Sequence, residues 1–205
     1  MAYITIALAK GRLAEDTVEA LIKCGIDCAN ILKPTRKLEL YDTTGKFRFI
    51  FVKPSDVPTY VEHGVADIGV CGKDTLLEED KSILEMLDLK FAKCKLCIAG
   101  YSNEYPSNLR VATKYVNIAK KVFSRKALNV EIIKLNGSVE LGPVIGLSDV
   151  ILDVVESGRT LSENGLKVLE EIYDCSARLV VNRVSLRLKQ EIIKPLIESI
   201  ERAVK

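Results

Sequence analysis

Short aliphatic runs alternate with amphipathic stretches along this chain, and that alternation predicts an α/β fold. "YITIALA" (3–9) reads as a strand and is followed by a helical pattern over 12–24. "KFRFIFV" (46–52) alternates with period two, as a strand does. The stretch 55–63 then predicts a short helix, with Ser55 as its cap and Pro58 within its first turn. "ADIGVCG" (66–72) predicts another strand, and a short helix is expected to begin near Asp74, a good capping residue.

"KLCIAGY", "LRVATKY", "VEIIKL" and "DVILDVV" form a second set of predicted strands, with a helix over "NIAKKVFSRKAL" between the second and third. "TLSENGLKVLEEI" (160–172) looks helical, and "ARLVVNRVSL" (177–186) reads as one long strand. The terminal "KQEIIKPLIESIERAVK" lines up Ile192, Ile193, Leu196, Ile197, Ile200 and Ala203 on a helical face. No internal repeat and no low-complexity linker is visible. The strand-like stretches near 91–99 and 177–187 fit two crossings between lobes. The expected organisation is a first lobe of residues 1–90 plus 178–205, with a second lobe, 91–177, inserted into it. A ligand is then expected in the cleft between lobes.

Composition narrows the function. With 205 residues and 48% apolar content, the chain has material for one large domain or two small ones. Thirty basic residues against 28 acidic leave a net charge of +2, which gives neither a nucleic-acid footprint nor a polybasic membrane patch. Trp is absent and aromatics are scarce, against a base-stacking platform. No apolar run is long enough to span a bilayer, and "MAYITIALAKGR" reads as a first strand rather than a signal peptide, so a cytoplasmic protein is expected.

There are six cysteines. In a strand over "KFAKCKLCIAGY", Cys94 and Cys97 face opposite sides and cannot grip one ion, so reduced structural thiols are expected. The single histidine, His63, is placed in the last turn of a helix ended by Gly64, where partial positive charge is favoured. One histidine excludes a two-histidine zinc site and leaves a Ser-His-Asp triad only one possible base.

The seam "DVVESGRT" (153–160) carries the most chemistry. "DVILDVV" is nearly all apolar, as in a parallel strand covered on both faces, and ligands of such sheets bind beyond the carboxyl ends of the strands. There Gly158 permits close backbone approach to an anion, and Thr160 with Glu163 forms a possible capping box. Free N–H groups at a helix start bind phosphate, with Arg159 adding charge and Ser157 within the loop. Asp153 and Glu156 can accept hydrogen bonds from hydroxyls. The set suits a sugar phosphate, although an ordinary strand–helix turn with a capped helix would also produce it.

Two further seams bear cations. Lys10, Gly11 and Arg12 follow the first strand, and cations at a helix start are electrostatically odd without an anion. Gly72 and Lys73 precede Asp74 at another seam, where an anion site and a simple cap explain the residues nearly equally. "NGSVE" (136–140) predicts a tight turn with Ser138 as a helix cap, and Arg36 and Lys37 read as surface charges.

"LNGSVELGPVIGLSDVILDVVESGRTLSENGLKVLEEI" closely resembles the corresponding stretch of the ATP phosphoribosyltransferases. "IALAKGRL" and "PSDVPTYVEHGVADIGVCGKDTLLE" resemble that family's N-terminal and central segments, in the same order. The resemblance implies a two-lobed α/β fold similar to type II periplasmic binding proteins. It implies an enzyme that joins N1 of the adenine of ATP to C1′ of phosphoribosyl pyrophosphate, releasing pyrophosphate, in the first step of histidine biosynthesis. By resemblance, Glu156, Ser157, Gly158, Arg159 and Thr160 hold the 5′-phosphate, with Asp153 and Glu156 near the ribose hydroxyls. Lys10, Gly11 and Arg12 would lie in the cleft, serving the departing pyrophosphate or the ATP phosphates, as would Gly72, Lys73 and Lys53. Lys53 stands where relatives commonly carry Arg, so it keeps the charge without the planar fork. Lys10, Arg12 and Asp153 are the catalytic candidates. Mg²⁺ is expected to arrive mainly on substrate phosphates rather than in a cage of side chains.

The resemblance also sets the expected partners. The chain ends at Lys205, directly after the terminal helix, which resembles the short form of the family. That form works with a separate regulatory subunit resembling histidyl-tRNA synthetase, as a homodimer within a hetero-oligomer. Two rival readings remain: a solute-binding module of the same fold, and a phosphoribosyltransferase with another acceptor base.

Overall fold

A computed structural model describes residues 3–33 and 35–204 of the chain. The chain divides into two compact units, Met1–Ala92 with Ser176–Lys205, and Lys93–Cys175.

The strands of the first unit are β1 (Ile4–Ala9), β2 (Glu39–Tyr41), β3 (Phe47–Val52), β4 (Ile68–Gly72) and β5 (Leu84–Asp88), and the chain returns to it with β11 (Ala177–Val181). Its helices are α1 (Arg12–Lys23), α2 (Val57–Glu62), α3 (Lys73–Glu79), α7 (Arg183–Leu188) and α8 (Gln190–Ala203). The sheet runs β2-β3-β1-β4-β11-β5. β1 is parallel to β3 and β4, while β11 is antiparallel to β4 and β5. Every residue of β1 is buried, because helices cover both sheet faces. Ile4, Ile6 and Leu8 pack with Val18 and Leu21 of α1 and with Ile193, Leu196, Ile197 and Ile200 of α8. Ala7 points the other way, to Val57 and Val61 of α2. Each fully buried Ile or Leu contributes about 1.5–3 kcal/mol.

The second unit contains β6 (Cys94–Gly100), β7 (Leu109–Thr113), β8 (Val130–Lys134), β9 (Val150–Val155) and β10 (Lys167–Cys175), with α4 (Val116–Arg125), α5 (Leu141–Val144) and α6 (Arg159–Glu163). Its sheet runs β10-β6-β9-β7-β8. β7 is parallel to β8 and β9, and β6 is antiparallel to β9 and β10. Ala99, Ala112 and Ile151 share one buried cluster with Val139, Leu161 and Leu166. α4 buries Ile118, Ala119, Val122 and Phe123, a spacing of one, three and one residues that makes a helical stripe.

Read from the same end, the two sheets have one strand order and one pattern of strand directions, although β11 comes last in its unit and β6 first in its own. β3-β1-β4-β11-β5 in the first unit matches β8-β7-β9-β6-β10 in the second, parallel and antiparallel neighbours included. The sheets share this order although no repeat is visible along the sequence. The match extends to one side chain. Asp67, just before β4, accepts from the N–H of Thr5 in β1 at 2.8 Å. Asp149, just before β9, accepts from the N–H of Arg110 in β7 at 2.8 Å. In both cases the aspartate's own N–H returns to the same partner's carbonyl at 2.9 Å. Only "GVAD" and "GLSD" mark this in the sequence, because the helices between the strands differ in length.

Several sequence expectations are corrected. "ARLVVNRVSL" is not one strand: β11 stops at Val181, and Asn182 caps α7 by accepting from the N–H groups of Val184 and Ser185, each at 2.9 Å. "TLSENGLKVLEEI" is not one helix. α6 ends at Glu163, Gly165 turns at φ 71°, and residues 167–175 form β10. Register shifts in β10 break its alternation, which is why it read as helical. Ser55 does not cap: Lys53 precedes a 3₁₀ turn, Pro54–Asp56, and Ser55 Oγ bonds Asp56 instead. Gly72, not Asp74, occupies the cap position of α3. Glu140 precedes α5, and Ser138 sits at φ 47°. α6 begins at Arg159 behind Gly158, so Thr160 is inside the helix and the Thr160–Glu163 capping box does not form.

Candidate active site

In the first unit, β3, β1 and β4 are adjacent and parallel, so the turns leaving them lie along one sheet edge. Lys53 follows β3, Lys10, Gly11 and Arg12 follow β1, and Gly72 closes β4 with Lys73 next. The topology therefore gathers all six residues expected to serve pyrophosphate or ATP phosphates.

Gly11 is at φ 105°, ψ −160°, a region open essentially to glycine alone. Its carbonyl accepts from Ala14 and Glu15, which starts α1 with the exposed Arg12 as first residue. Lys10 Nζ donates to the Thr35 carbonyl at 3.3 Å and lies 5.5 Å from the Phe51 ring centroid. Beside it opens a cavity of about 170 Å³ with Ala14, Ile31, Leu32 and Phe51 among its walls. Lys73 is differently placed. Its Nζ donates to Glu85 at 2.6 Å, and Glu85 in turn lies 3.3 Å from Arg178. The charge of Lys73 is thus already answered within the fold.

In the second unit, the parallel strands β8, β7 and β9 present their carboxyl ends together. Asp153 lies within β9 and Glu156 to Gly158 form the turn behind it. One Asp153 oxygen accepts from the N–H of Val154 at 2.8 Å. Gly158 adopts φ 71°, ψ 2°, and its carbonyl accepts from Ser162. Glu156, Ser157, Arg159 and Thr160 are exposed, and Ser157 Oγ accepts from the N–H of Arg159 at 3.4 Å. The Arg159 side chain is 83% exposed and pairs with Glu163 at 2.8 Å, one helical turn on. A surface pair of this kind is worth at most about 1 kcal/mol, so an arriving phosphate can compete for the guanidinium.

Lys114 was not singled out in the sequence. It leaves the carboxyl end of β7, and its Nζ lies 3.8 Å from Asp153. The available signal was its place directly after "LRVAT", which is the position of Lys10 after "ITIALA".

The remaining candidates are structural. None of the six cysteines forms a disulfide. Burial, with Asp42 and Asp27 nearby, pushes the Cys28 thiol up to about 11, and burial raises Cys71 further, so both are protonated and unreactive near neutrality. His63 follows α2 as its cap, its Nδ1 3.0 Å from the Thr59 carbonyl, with Gly64 behind it at φ 69°. Among the described residues no three of His, Cys, Asp and Glu converge as metal ligands. Asp153 and Glu156 carry carboxylate oxygens, the donor type that Mg²⁺ takes. No helix among the described residues is long and apolar enough to cross a membrane.

The fold defines an α/β protein of the type II periplasmic-binding-protein class, built from two units with the second inserted in the first. Comparison with known proteins is specific. The family model described as "HisG: ATP phosphoribosyltransferase" matches residues 53–202. The ATP phosphoribosyltransferase of Caldanaerobacter subterraneus subsp. tengcongensis is 54% identical over 200 residues, spanning 96% of this chain and 95% of that protein. That of Thermoanaerobacter sp. is 53% identical over 208 residues, spanning 100% and 97%. A chain of the solved "ATP phosphoribosyl transferase (HisG:HisZ) complex" from Thermotoga maritima matches with a TM-score of 0.86 and 37% identity over 98% of each chain. This chain belongs to the ATP phosphoribosyltransferase family.

Proposed function

We propose that the chain transfers the phosphoribosyl group of phosphoribosyl pyrophosphate to N1 of the adenine of ATP, releasing pyrophosphate, as the first step of histidine biosynthesis. The observation that carries this reading is the family match across residues 53–202, which includes the β9 seam. The geometry supports a division of labour. The 156–160 turn receives the 5′-phosphate, with Asp153 and Glu156 taking hydrogen bonds from the ribose hydroxyls. Lys10 and Arg12 receive the pyrophosphate or the ATP phosphates, and the cavity beside Lys10 offers an apolar floor for a base.

In the reaction, the bond from C1′ to the pyrophosphate oxygen breaks and its electron pair leaves with pyrophosphate. The lone pair of adenine N1 forms the new bond. The transition state has oxocarbenium character. N1 is already a nucleophile, so no strong base is required, and the site works by aligning two substrates and neutralising the leaving group. Asp153, near the ribose hydroxyls, offsets the developing positive charge. Lys53 adds a point charge without a bidentate grip. Gly72 and Lys73 would join the phosphate site only if an anion displaced Glu85 from Lys73. Bound Mg²⁺ would supply charge neutralisation on the pyrophosphate oxygens.

The partner reading is that the chain, itself a homodimer, assembles in the cytoplasm with a regulatory subunit resembling histidyl-tRNA synthetase. The Thermotoga complex supports a hetero-oligomer. Histidine inhibition is then expected only with that subunit present. Full activity with strong histidine inhibition of the purified chain alone would overturn this.

The activity test is pyrophosphate release from phosphoribosyl pyrophosphate and Mg²⁺, with ATP or other bases as acceptor. Release dependent on ATP is expected; release with another base and not with ATP would sink the reading. Asp153→Asn and Arg159→Ala should each lower kcat/KM for the donor about ten- to hundredfold, the loss of one contact to a charged group. Wild-type values in both variants would remove the loop from the site.

A further inference from the structure

The turn that follows β7 is more rigidly built than a surface loop requires. Thr113 is fully buried, and its Oγ1 donates to the Leu152 carbonyl of β9 at 2.6 Å. The same hydroxyl accepts from the N–H of Tyr115 at 2.8 Å. One side chain thus ties the strand end to β9 and fixes the two peptide units that flank residue 114. Tyr115 is 3% exposed, and its ring lies 4.7 Å from Lys114 Nζ. The lysine stem therefore has a packed aromatic face to lie on, which restricts where its ammonium can go.

That place is next to Asp153. The register of β7 on β9 pairs Ala112 with Ile151, and two residues further on it sets Lys114 alongside Asp153. The Lys114 Nζ is 3.8 Å from Asp153 Oδ1, an ion pair without a direct hydrogen bond, and that oxygen accepts from Val154 N–H. The two side chains are unequally covered, 41% exposed for Lys114 and 15% for Asp153. An exposed cation held on an aromatic ring and directed at a mostly covered carboxylate is more than a chance surface pair.

We infer that Lys114 is a positioning residue for the phosphoribosyl donor, holding the Asp153 carboxylate in the orientation that receives the ribose. This deepens the reading of the β9 seam as the donor site and rests on it. The matching strand order of the two sheets adds a second argument. Lys114 leaves β7 as Lys10 leaves β1, so each unit places a lysine at the carboxyl end of its central parallel strand.

An ordinary surface pair would leave catalysis untouched when broken, since such pairs contribute little. A positioning lysine predicts a defined kinetic pattern. Steady-state kinetics would be run on the full chain with its regulatory partner, for wild type, Lys114→Met, Lys114→Arg, Asp153→Asn and Lys114→Met/Asp153→Asn, with melting temperatures alongside. Lys114→Met should lower kcat/KM for the donor about tenfold, with KM for ATP unchanged and the melting temperature within about 2 °C of wild type. Lys114→Arg, which keeps the cation, should return to within about threefold. The double variant should lose no more than Asp153→Asn alone, because the lysine acts through the aspartate.

Wild-type donor kinetics in Lys114→Met, together with a loss in Asp153→Asn, would overturn the inference and leave the donor-site reading standing. Additive losses in the double variant would also overturn it. Wild-type kinetics in both single variants would overturn the donor site itself. If Lys114→Met melts low, Lys114→Gln, which also removes the cation, and its cycle with Asp153→Asn decide the question in a folded protein.

Discussion

The two units share a scaffold and differ at its business edge. Each has three parallel strands, an antiparallel fourth and an edge strand in the same order. Each fastens its first strand to its third with an aspartate on a backbone N–H. At the carboxyl ends of the parallel strands a lysine recurs, Lys10 after β1 and Lys114 after β7, but its neighbours differ. The first unit places Lys10, Arg12, Lys53 and Lys73 there, whereas the second places Asp153 and Glu156 beside Lys114 and Arg159. The scaffold decides where chemistry is presented. The turn residues decide what that place carries: cations alone in the first unit, carboxylates beside cations in the second.

The aspartate tie is the deepest common feature, and breaking it should have the largest effect. Asp67 is 4% exposed and also pairs with Lys189 at 2.8 Å. Asp67→Ala leaves the buried Thr5 N–H without its acceptor and takes the carboxylate from Lys189, whose Nζ keeps the Tyr3 carbonyl at 3.1 Å, at a cost of about 1–3 kcal/mol. Asp149→Ala should cost less, because Asp149 and its partner Arg110 are more open to water, at 25% and 37% side-chain exposure. Urea unfolding of both variants measures this, and equal losses would deny the difference between the units.

Glycine conformation separates the two turns next. Gly11 lies in the glycine-only region, and Gly158 in the left-handed helical region that some residues tolerate. A Cβ on Gly11 meets nothing within 4 Å, so its cost is backbone strain alone. Gly11→Ala should lose about 1–3 kcal/mol and Gly158→Ala about 1 kcal/mol by the same assay. The reverse order would contradict the assigned backbone.

Arg12 tests the polyanion edge. Arg12→Ala should lower kcat/KM about tenfold and weaken competitive inhibition by pyrophosphate. Unchanged inhibition would move Arg12 out of the site, and with it the contrast between the two edges.

The smallest expected effect is on acid stability. Burial raises the pKa of Asp88, but hydrogen bonds from Ser176 and Lys90 and the charge of Arg178 outweigh it and hold the carboxyl far below its usual range. In the second unit, the hydrogen bond from Arg110 lowers Asp149, against a smaller effect of burial. A depressed pKa stabilises above the unfolded value near ~4, and the gain is lost as pH falls through that value toward the folded one. Asp88→Asn should therefore lose less melting temperature than wild type between pH 7 and pH 3. Solvent screening limits the difference to about 2 °C, with Asp149→Asn behaving alike.

The elements that were legible in the sequence are those whose pattern is local. β1 and α8 declare themselves by runs and stripes of aliphatics, and the 153–160 seam by its turn chemistry. Where local signals conflict, the reading failed. Asn182 stops a strand that its apolar neighbours would have continued, and "KVLEEIYDC" hides β10 behind bulges. Lys114 escaped notice because its meaning lies in pairing with a residue 39 positions away, across a strand register that only the folded chain supplies.

The passage of the chain between units has a consequence for the order of events during synthesis. β11 belongs between β4 and β5, yet it is made after the whole of Lys93–Cys175. The inserted unit has its five strands in one uninterrupted length and can close as soon as it leaves the ribosome. Until residues 177–181 follow, β4 presents an open edge and β5, bonded only to β11, has no neighbour to make it a strand. The first sheet, five of whose six strands precede the insert, is thus completed only by the last thirty or so residues. A chain stalled before Ser176 would carry a finished insert on an unfinished host, with a bare strand edge that other nascent chains could join.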